Sequence, residues 1–311
     1  MPRAGLPSPP LAAAAAVSFL TLGALLALAA SQSGSDLKVG NSTVHVDFDR
    51  GAFHAPGDAI LEWVERSGGI VTGYYGRFPM QRLTVQVVAR AGDGVQGGQT
   101  FANPDGFIRV RVGREVSRAQ LLSDWVLVHE MSHLALPDIG EAHAWLSEGL
   151  ATYVEGVARV QAGNRAEEDV WAEEMRQMPR GLPQPGDGGL DHTHTWGRTY
   201  WGGAMFCLLA DVEIHRQSHN RFGLQDALRA IARESGGLSA DWPIERVLRT
   251  GDRAVGASTL EDLYARMKDT PVTPDLMTLW RELGVEPDGS SVHLSDEAPL
   301  AAVRHAIMRA R

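Results

Sequence analysis

The sequence predicts an α+β fold in which a small N-terminal α/β lobe with a mixed sheet precedes a mainly helical lobe. Short segments that alternate between apolar and polar residues, typical of half-buried strands, lie in the first third of the chain. Helical periodicity dominates after residue 115. The composition, with 44% hydrophobic and 22% charged residues among 311, is that of an ordinary globular protein.

The N-terminal α/β lobe is predicted to cover residues 42–115. Residues 43–48, 82–89 and 107–112 alternate and are expected to form strands. Residues 55–78 have a helical pattern, although a Gly-Gly pair weakens its middle.

The helical lobe is predicted to cover residues 116–311. Its first helix begins with a capping-box pattern at Ser117 and Gln120 and ends before Pro137. A long loop rich in Gly, Pro and His at 179–196 leads to Tyr200. Amphipathic patterns predict helices at 117–136, 144–162, 166–177, 197–217, 222–235, 258–268, 274–283 and 297–309.

Residues 129–133 read His-Glu-Met-Ser-His, which has the form H-E-x-x-H, and they follow an apolar helical pattern. Residues four apart lie on one face of a helix, so His129 and His133 can bind one metal ion. Glu130 then lies beside that metal, where it can take a proton from water. Glu148 follows fifteen positions later on a second helix and completes a His-His-Glu zinc set with one open position.

Simpler interpretations of these residues exist. The motif could lie on a solvated surface helix, but its apolar neighbours favour burial, and buried charges need a partner. Glu148 could be an ordinary glutamate in the first turn of its helix, favoured there by the helix dipole. Glu155, two turns further on, is a weaker alternative ligand.

Three segments of the chain resemble the gluzincin metallopeptidases, the clan that includes thermolysin, the aminopeptidase N group and the glycyl aminopeptidase family. They are the H-E-x-x-H motif, Trp-Leu-Ser-Glu-Gly-Leu-Ala-Thr-Tyr at 145–153, and Thr-Tyr-Trp-Gly-Gly-Ala at 199–204 with the apolar run after it. The resemblance covers about residues 120–285. It implies a thermolysin-like (gluzincin) catalytic domain, Zn²⁺ as the cofactor, and a zinc site in the cleft between the two lobes.

The resemblance also implies roles for single residues. Tyr200 falls on the tyrosine whose hydroxyl stabilises the oxyanion in aminopeptidase N and glycyl aminopeptidase relatives, although Gly202 replaces their usual lysine. Gluzincins pair substrate with an edge strand of the N-terminal lobe, for which residues 107–112 or the strand before the turn at 100–106 are candidates. A hairpin without a ligand role is an equal alternative. No Gly-x-Met-Glu-Asn segment is present, so aminopeptidase activity does not follow.

These observations predict a zinc-dependent metallopeptidase acting on a peptide or protein substrate. Glu130 is the expected general base, Tyr200 the oxyanion donor, and Thr152 a residue that orients Glu148. The alternative is a secreted zinc- and peptide-binding protein without turnover. A membrane-anchored scaffold with a decayed site is a third hypothesis.

Other polar residues carry weaker hypotheses. His192 and His194 could form a second metal site or contact substrate, although such a loop pair is more often solvated. Arg198 could recognise a carboxylate. Cys207, the single cysteine, excludes an internal disulfide framework and is expected to be a buried small hydrophobe.

The N-terminus and the net charge indicate the cellular context. Residues 1–30 have a basic residue, an uncharged stretch at 11–30 and an A-x-A-like site, so they predict a signal peptide, with a membrane anchor as the alternative. Residues 31–41 are predicted to be a linker. We therefore expect a periplasmic or secreted protein. The net charge of −9 argues against nucleic acid as a partner.

Overall fold

The structure, a computed structural model, describes residues 34–102 and 105–310, and within them it confirms the α+β class with a mixed sheet. Five strands form one sheet in the order β1-β2-β3-β5-β4. The central pairs β2/β3 and β3/β5 are parallel, while the outer pairs β1/β2 and β4/β5 are antiparallel. The strands are β1 Ser35–Val39, β2 Ser42–Asp47, β3 Arg82–Arg90, β4 Val95–Phe101 and β5 Phe107–Gly113.

Two features of this sheet differ from the sequence predictions. Strand β1 lies in the segment predicted as the linker 31–41, because it pairs antiparallel with β2 through a tight turn. The strand at 107–112 is not an edge, since β5 pairs with β3 on one side and β4 on the other. The other candidate, the predicted strand 82–89 before the turn, is β3, and it is also internal because it pairs with β2 and β5. The two edge strands are β1 and β4, and β4 was not predicted.

The elements after residue 115 follow the predicted order with two additions. Helix α8 and a hairpin of β6 (Val285–Asp288) and β7 (Ser291–Leu294) were not predicted. The helices are α1 Gly57–Tyr75, α2 Arg118–Leu122, α3 Val126–His133, α4 Ala144–Gln161, α5 Glu167–Gln177, α6 Gly203–Ser218, α7 Leu224–Ser235, α8 Ile244–Val255, α9 Thr259–Met267, α10 Leu276–Leu283 and α11 Ala301–Met308.

The single helix predicted at 117–136 is two helices, and Asp124 explains the break. The predicted capping box at Ser117 and Gln120 is present and begins α2. The Asp124 carboxylate then accepts hydrogen bonds from the backbone N–H groups of Val126 and Leu127, both at 3.1 Å, and so caps the start of α3. It also accepts from Nε1 of the buried Trp63 on α1, at 3.1 Å. The side chain therefore fixes where the motif helix begins.

Helix α4 lies at the centre of the helical part and packs against α1, α3 and α6. Its buried face includes Trp145, Leu150, Tyr153 and Val154, which join the main hydrophobic core. The predicted N-terminal signal peptide or anchor, residues 1–30, lies outside the described residues. Among the described residues, none of the helices combines the length and apolar character needed to cross a membrane.

Replacing Asp124 tests this account of the helix break. We expect Asp124→Ala to lower the free energy of unfolding by about 2–4 kcal/mol, because it removes a helix cap and strands a buried indole N–H. Asp275→Ala is a matched control, since Asp275 caps α10 through Thr278 but is exposed and holds no buried donor. That variant should lose about 1 kcal/mol in the same urea titration. Equal losses would contradict the role assigned to Asp124.

Candidate active site

Helices α3 and α4 bring three predicted ligands together. Nε2 of His129 lies 3.3 Å from Oε2 of Glu148, and Nε2 of His133 lies 3.5 Å from the same oxygen. Ligand atoms of the three residues all lie within 4.8 Å of one another, and no other such group of three occurs in residues 34–102 and 105–310. The geometry therefore matches the set predicted from the H-E-x-x-H motif and the later glutamate.

The Glu148 carboxylate and the neighbouring His133 shift each other's pKa values toward the charged forms. Burial would raise the pKa of Glu148, but the neighbouring His133 and His129 lower it well below its usual range. Burial alone would lower the pKa of His133. The neighbouring carboxylates, chiefly that of Glu148, raise this pKa by more than burial lowers it, so the net change is upward. Nδ1 of His133 also lies 3.0 Å from Oγ of Ser147, a contact that orients the ring.

The donor set fits a zinc ion. Two imidazole nitrogens and one carboxylate oxygen are ligands that zinc prefers, at distances of about 2.0–2.1 Å. In a tetrahedron of that size, neighbouring ligand atoms are about 3.3–3.4 Å apart. The measured separations of 3.3 and 3.5 Å from Oε2 of Glu148 are close to this value. Nδ1 of His129 is buried and has no hydrogen-bond partner among the described residues.

Strand β4 holds Glu130 beside this group. Oγ1 of Thr100 lies 2.6 Å from Oε2 of Glu130 and 2.9 Å from the backbone carbonyl oxygen of Glu130, and its hydroxyl can donate a hydrogen bond to either acceptor. Glu130 is buried, and its carboxyl group occupies the space where a side chain at Gly98 would lie. A Cβ at Gly98 would come within 2.8 Å of Oε1 of Glu130, so glycine is needed for this approach.

Tyr200 lies beside the same group. It lies in a π-helical turn, Gly197–Gly202, that precedes α6, and such turns are frequent at functional sites. Its ring stacks on His129 with centroids 6.3 Å apart. Burial and the charges of Glu148 and Glu130 raise the pKa of its hydroxyl, which therefore stays a hydrogen-bond donor.

Two glycines allow the segment that carries Tyr200 to pack closely on α4. A Cβ at Gly149 would lie 2.2 Å from the backbone of Gly203, and a Cβ at Gly203 would lie 1.9 Å from the carbonyl oxygen of Trp145. The backbones touch directly, so neither position has room for a side chain. Gly149 follows Glu148 directly, so this contact fixes the distance between the carboxylate and the tyrosine segment.

Two other predicted participants have different roles. Glu155 is not part of the His-His-Glu group, because its carboxylate pairs with Arg159 at 2.6 Å inside the protein. Oγ1 of Thr152 donates to the backbone carbonyl of Glu148 at 2.8 Å and not to its carboxylate. Thr152 therefore does not orient the Glu148 carboxylate directly, although it lines the adjoining cavity.

The remaining candidates lie apart from the group. His192 is exposed and pairs with Asp269 at 2.9 Å, and His194 is also exposed. Arg198 is only 1% exposed and donates to the carbonyl oxygen of Gly181, so it is not available to a substrate carboxylate. Cys207 is buried and free, as predicted, and burial raises the pKa of its thiol.

A cavity of about 650 Å³ opens beside His129 and Tyr200. Three tryptophans, Trp125, Trp196 and Trp201, contribute to its walls, together with polar and charged residues of α4 and α5. Its volume lies within the range of small-molecule binding sites. Sequence reasoning did not identify this cavity, nor Gly98 and Thr100, although the Gly-Gly pair at 97–98 signals a close backbone approach.

The sequence matches no protein-family profile and no curated protein. Solved structures do resemble the fold. An aminopeptidase N family protein from Idiomarina loihiensis is similar with a TM-score of 0.58 at 14% identity, over 86% of this chain and 53% of that chain. An M1 zinc metallopeptidase from Deinococcus radiodurans is similar with a TM-score of 0.50 at 15% identity, over 79% of this chain and 53% of that chain.

A variant M1 zinc metallopeptidase from Deinococcus radiodurans, bound to a Tyr-Ser-Ala substrate, gives the same TM-score of 0.50 at 14% identity. The chain spans about half the length of these solved structures. At this low identity the likeness concerns the fold. The chain therefore has a mixed α+β fold similar to that of the M1 zinc metallopeptidases, with a His-His-Glu group between α3 and α4.

Proposed function

We propose that this chain is a zinc-dependent metallopeptidase that hydrolyses peptide bonds outside the cytoplasm. The observation that carries the proposal is the convergence of His129, His133 and Glu148 with a buried glutamate, Glu130, beside them. The fold similarity to M1 zinc metallopeptidases supports it. The location outside the cytoplasm stays a prediction from residues 1–30.

His129, His133 and Glu148 would hold the zinc ion. When bound, zinc acts as a Lewis acid toward water and toward the scissile carbonyl. Glu130 accepts a proton from the attacking water as the water oxygen bonds to the carbonyl carbon. It then delivers that proton to the leaving amine as the C–N bond breaks, so the carboxylate is regenerated.

Tyr200 supplies the oxyanion donor in this scheme. Its hydroxyl donates a hydrogen bond to the carbonyl oxygen as that oxygen gains negative charge. The stacking on His129 and the tight contact between Gly149 and Gly203 fix the ring before substrate arrives. This preorganisation is what makes such a donor effective.

Strand β4 is the expected substrate-binding edge. It pairs with β5 on one side only in the described sheet, so its other edge can pair with an extended peptide. The same strand carries Gly98 and Thr100, which contact Glu130. A peptide paired with β4 would therefore lie next to the general base.

A zinc- and peptide-binding protein without turnover is the competing function. A purely structural zinc site normally has four protein ligands and needs no base. Here the described group has three ligands, and Glu130 is held beside it by Thr100. This arrangement favours catalysis.

Metal content tests the first step. Protein lacking residues 1–30 should contain about one zinc per chain by plasma mass spectrometry. His133→Ala should lose it, because two remaining ligands bind zinc weakly, whereas Glu130→Gln should retain it. A folded wild-type protein that contains no zinc and cannot be reloaded would refute the metal site.

Turnover of a peptide library tests the assigned roles. Glu130→Gln should abolish cleavage while zinc stays bound, since the amide cannot accept the proton. Tyr200→Phe should lower kcat by roughly 10²-fold, the usual effect of losing one oxyanion donor. Tyr264→Phe, which removes a tyrosine hydroxyl that donates to Asp191 and does not line the cavity, is the control. Unchanged activity in either main variant would remove that residue from the mechanism.

Thr100 should act as a positioning residue for Glu130. Thr100→Val removes the hydroxyl but keeps the shape, and we expect kcat to fall about tenfold with KM and zinc content unchanged. Thr100→Ser keeps the donor and should restore most of the rate. Equal rates in the valine and serine variants would show that the hydrogen bond has no role in catalysis.

A further inference from the structure

Glu174 of α5 is a buried carboxyl group in the wall of the cavity beside His129 and Tyr200. It is only 5% exposed, and its Oε2 has no hydrogen-bond partner among the described residues. Oε1 of Gln177, one turn further along α5, is also buried without a partner and lines the same cavity. Two acceptor atoms, on side chains three positions apart in one helix, are therefore buried without a donor among the described residues.

The other buried or half-buried charges of the cavity wall are already paired. Glu155 pairs with Arg159 at 2.6 Å, and Glu173 pairs with Arg165 at 2.7 Å. Arg180 is exposed, with its guanidinium 5.8 Å from the centre of the Trp196 ring. The carboxyl group of Glu174 is thus the acidic group in this wall that lacks a counter-charge.

Such a group is costly for a folded protein. A buried acceptor without a donor destabilises the folded state, and an ionised one does so more strongly. Burial raises the pKa of Glu174 to about 8, and the charges of Glu173 and Glu155 act in the same direction, while Arg165 opposes them. A cation in the cavity would relieve this cost by donating hydrogen bonds to the carboxylate.

The cavity favours an organic cation over a metal ion. The described residues contain one group of three metal ligands, and Glu174 is not in it. An ammonium or guanidinium group carries several N–H donors, which suits one carboxylate and one amide oxygen. The indole rings of Trp125, Trp196 and Trp201 line the cavity and provide apolar walls for the aliphatic stem of such a side chain.

We propose that this cavity binds the side chain of a lysine or arginine that lies next to the scissile bond of the substrate. The inference rests on the proposed peptidase function and narrows its substrate class. Because His129 and Tyr200 line the same cavity, a side chain that enters it comes from a residue near the reacting carbonyl. The volume of about 650 Å³ accommodates such a side chain.

Paired peptides test the preference. Each pair carries arginine or its neutral isostere citrulline at one of the two positions that flank the scissile bond. With the variable residue at one of these two positions, the zinc-loaded wild type should cleave the arginine peptide with a kcat/KM at least about tenfold higher than that of the citrulline peptide. A tenfold difference is about the typical effect of one charged hydrogen bond. Glu174→Gln should lose this preference and still cleave the citrulline peptide. Glu168→Gln, an equal charge change on an exposed part of α5, should keep it.

A binding measurement separates this inference from the proposed function. The same peptides are titrated into Glu130→Gln protein, with and without Glu174→Gln, and the fluorescence of the cavity tryptophans is recorded. Tighter binding of the arginine peptide that disappears in the double variant supports the cation site even if no peptide is cleaved. In that case only the peptidase proposal fails. Equal affinity for both peptides, or an arginine preference that survives Glu174→Gln, would refute the cation site.

The pH dependence gives an independent readout. Between pH 7 and pH 9 the ionised fraction of a carboxyl group with a pKa of about 8 rises from about one-tenth to nine-tenths, while arginine stays charged. The ratio of arginine to citrulline affinity should therefore rise about ninefold and stay flat in Glu174→Gln. A flat ratio in both proteins would count against the site.

Other titratable or charged groups lie near Glu174 or line its cavity. Those near Glu174 are Tyr153, Glu155, Arg159, Arg165, Glu173 and Cys207, and those across the cavity are His129, Arg180 and Tyr200.

Discussion

The contact between the Glu148 carboxylate and two imidazoles is the interaction on which this site depends. An ionised carboxylate taken out of water is costly unless opposite charge and hydrogen bonds surround it. His129 and His133 provide that environment, and they do so from a helix of only eight residues. A helix this short is not stable alone, so its position is set by the Asp124 cap, by α1 and by the edge strand β4. The site and the local fold are therefore mutually dependent.

Close backbone contacts decide which groups reach the site. Because Gly98 has no side chain, the Glu130 carboxylate can lie directly against strand β4. The contact between Gly149 and Gly203 lets the π-helical turn pack closely on α4. Each contact joins two elements that are far apart in sequence. The proposed general base and the proposed oxyanion donor are thus placed by glycines that take no part in the proposed chemistry.

Sequence reasoning predicted local features well and long-range ones poorly. The His129, His133 and Glu148 set follows from helical spacing and from one later motif, and most helices follow from periodicity. Helix α8 also has a clear apolar stripe and could have been predicted. The edge position of β4 and the bond from Thr100 to Glu130 depend on which strands pair, and no local pattern encodes that pairing. The Asp124 side chain that caps α3 also accepts a hydrogen bond from Trp63, sixty-one positions away.

Helices α4 and α5 hold two carboxyl groups, the half-buried Glu148 and the buried Glu174, whose pKa values are shifted in opposite directions. Cationic or polarisable neighbours lower the pKa of Glu148, whereas burial among other acidic groups raises that of Glu174. The Glu148 carboxylate is thus stabilised in its ionised form by groups of the protein itself. Glu174 can become an anion at low cost only when a positive group arrives from outside. The cavity that His129, Tyr200 and Glu174 line therefore adjoins both the candidate metal group and a carboxyl group that would need a cation from the proposed ligand.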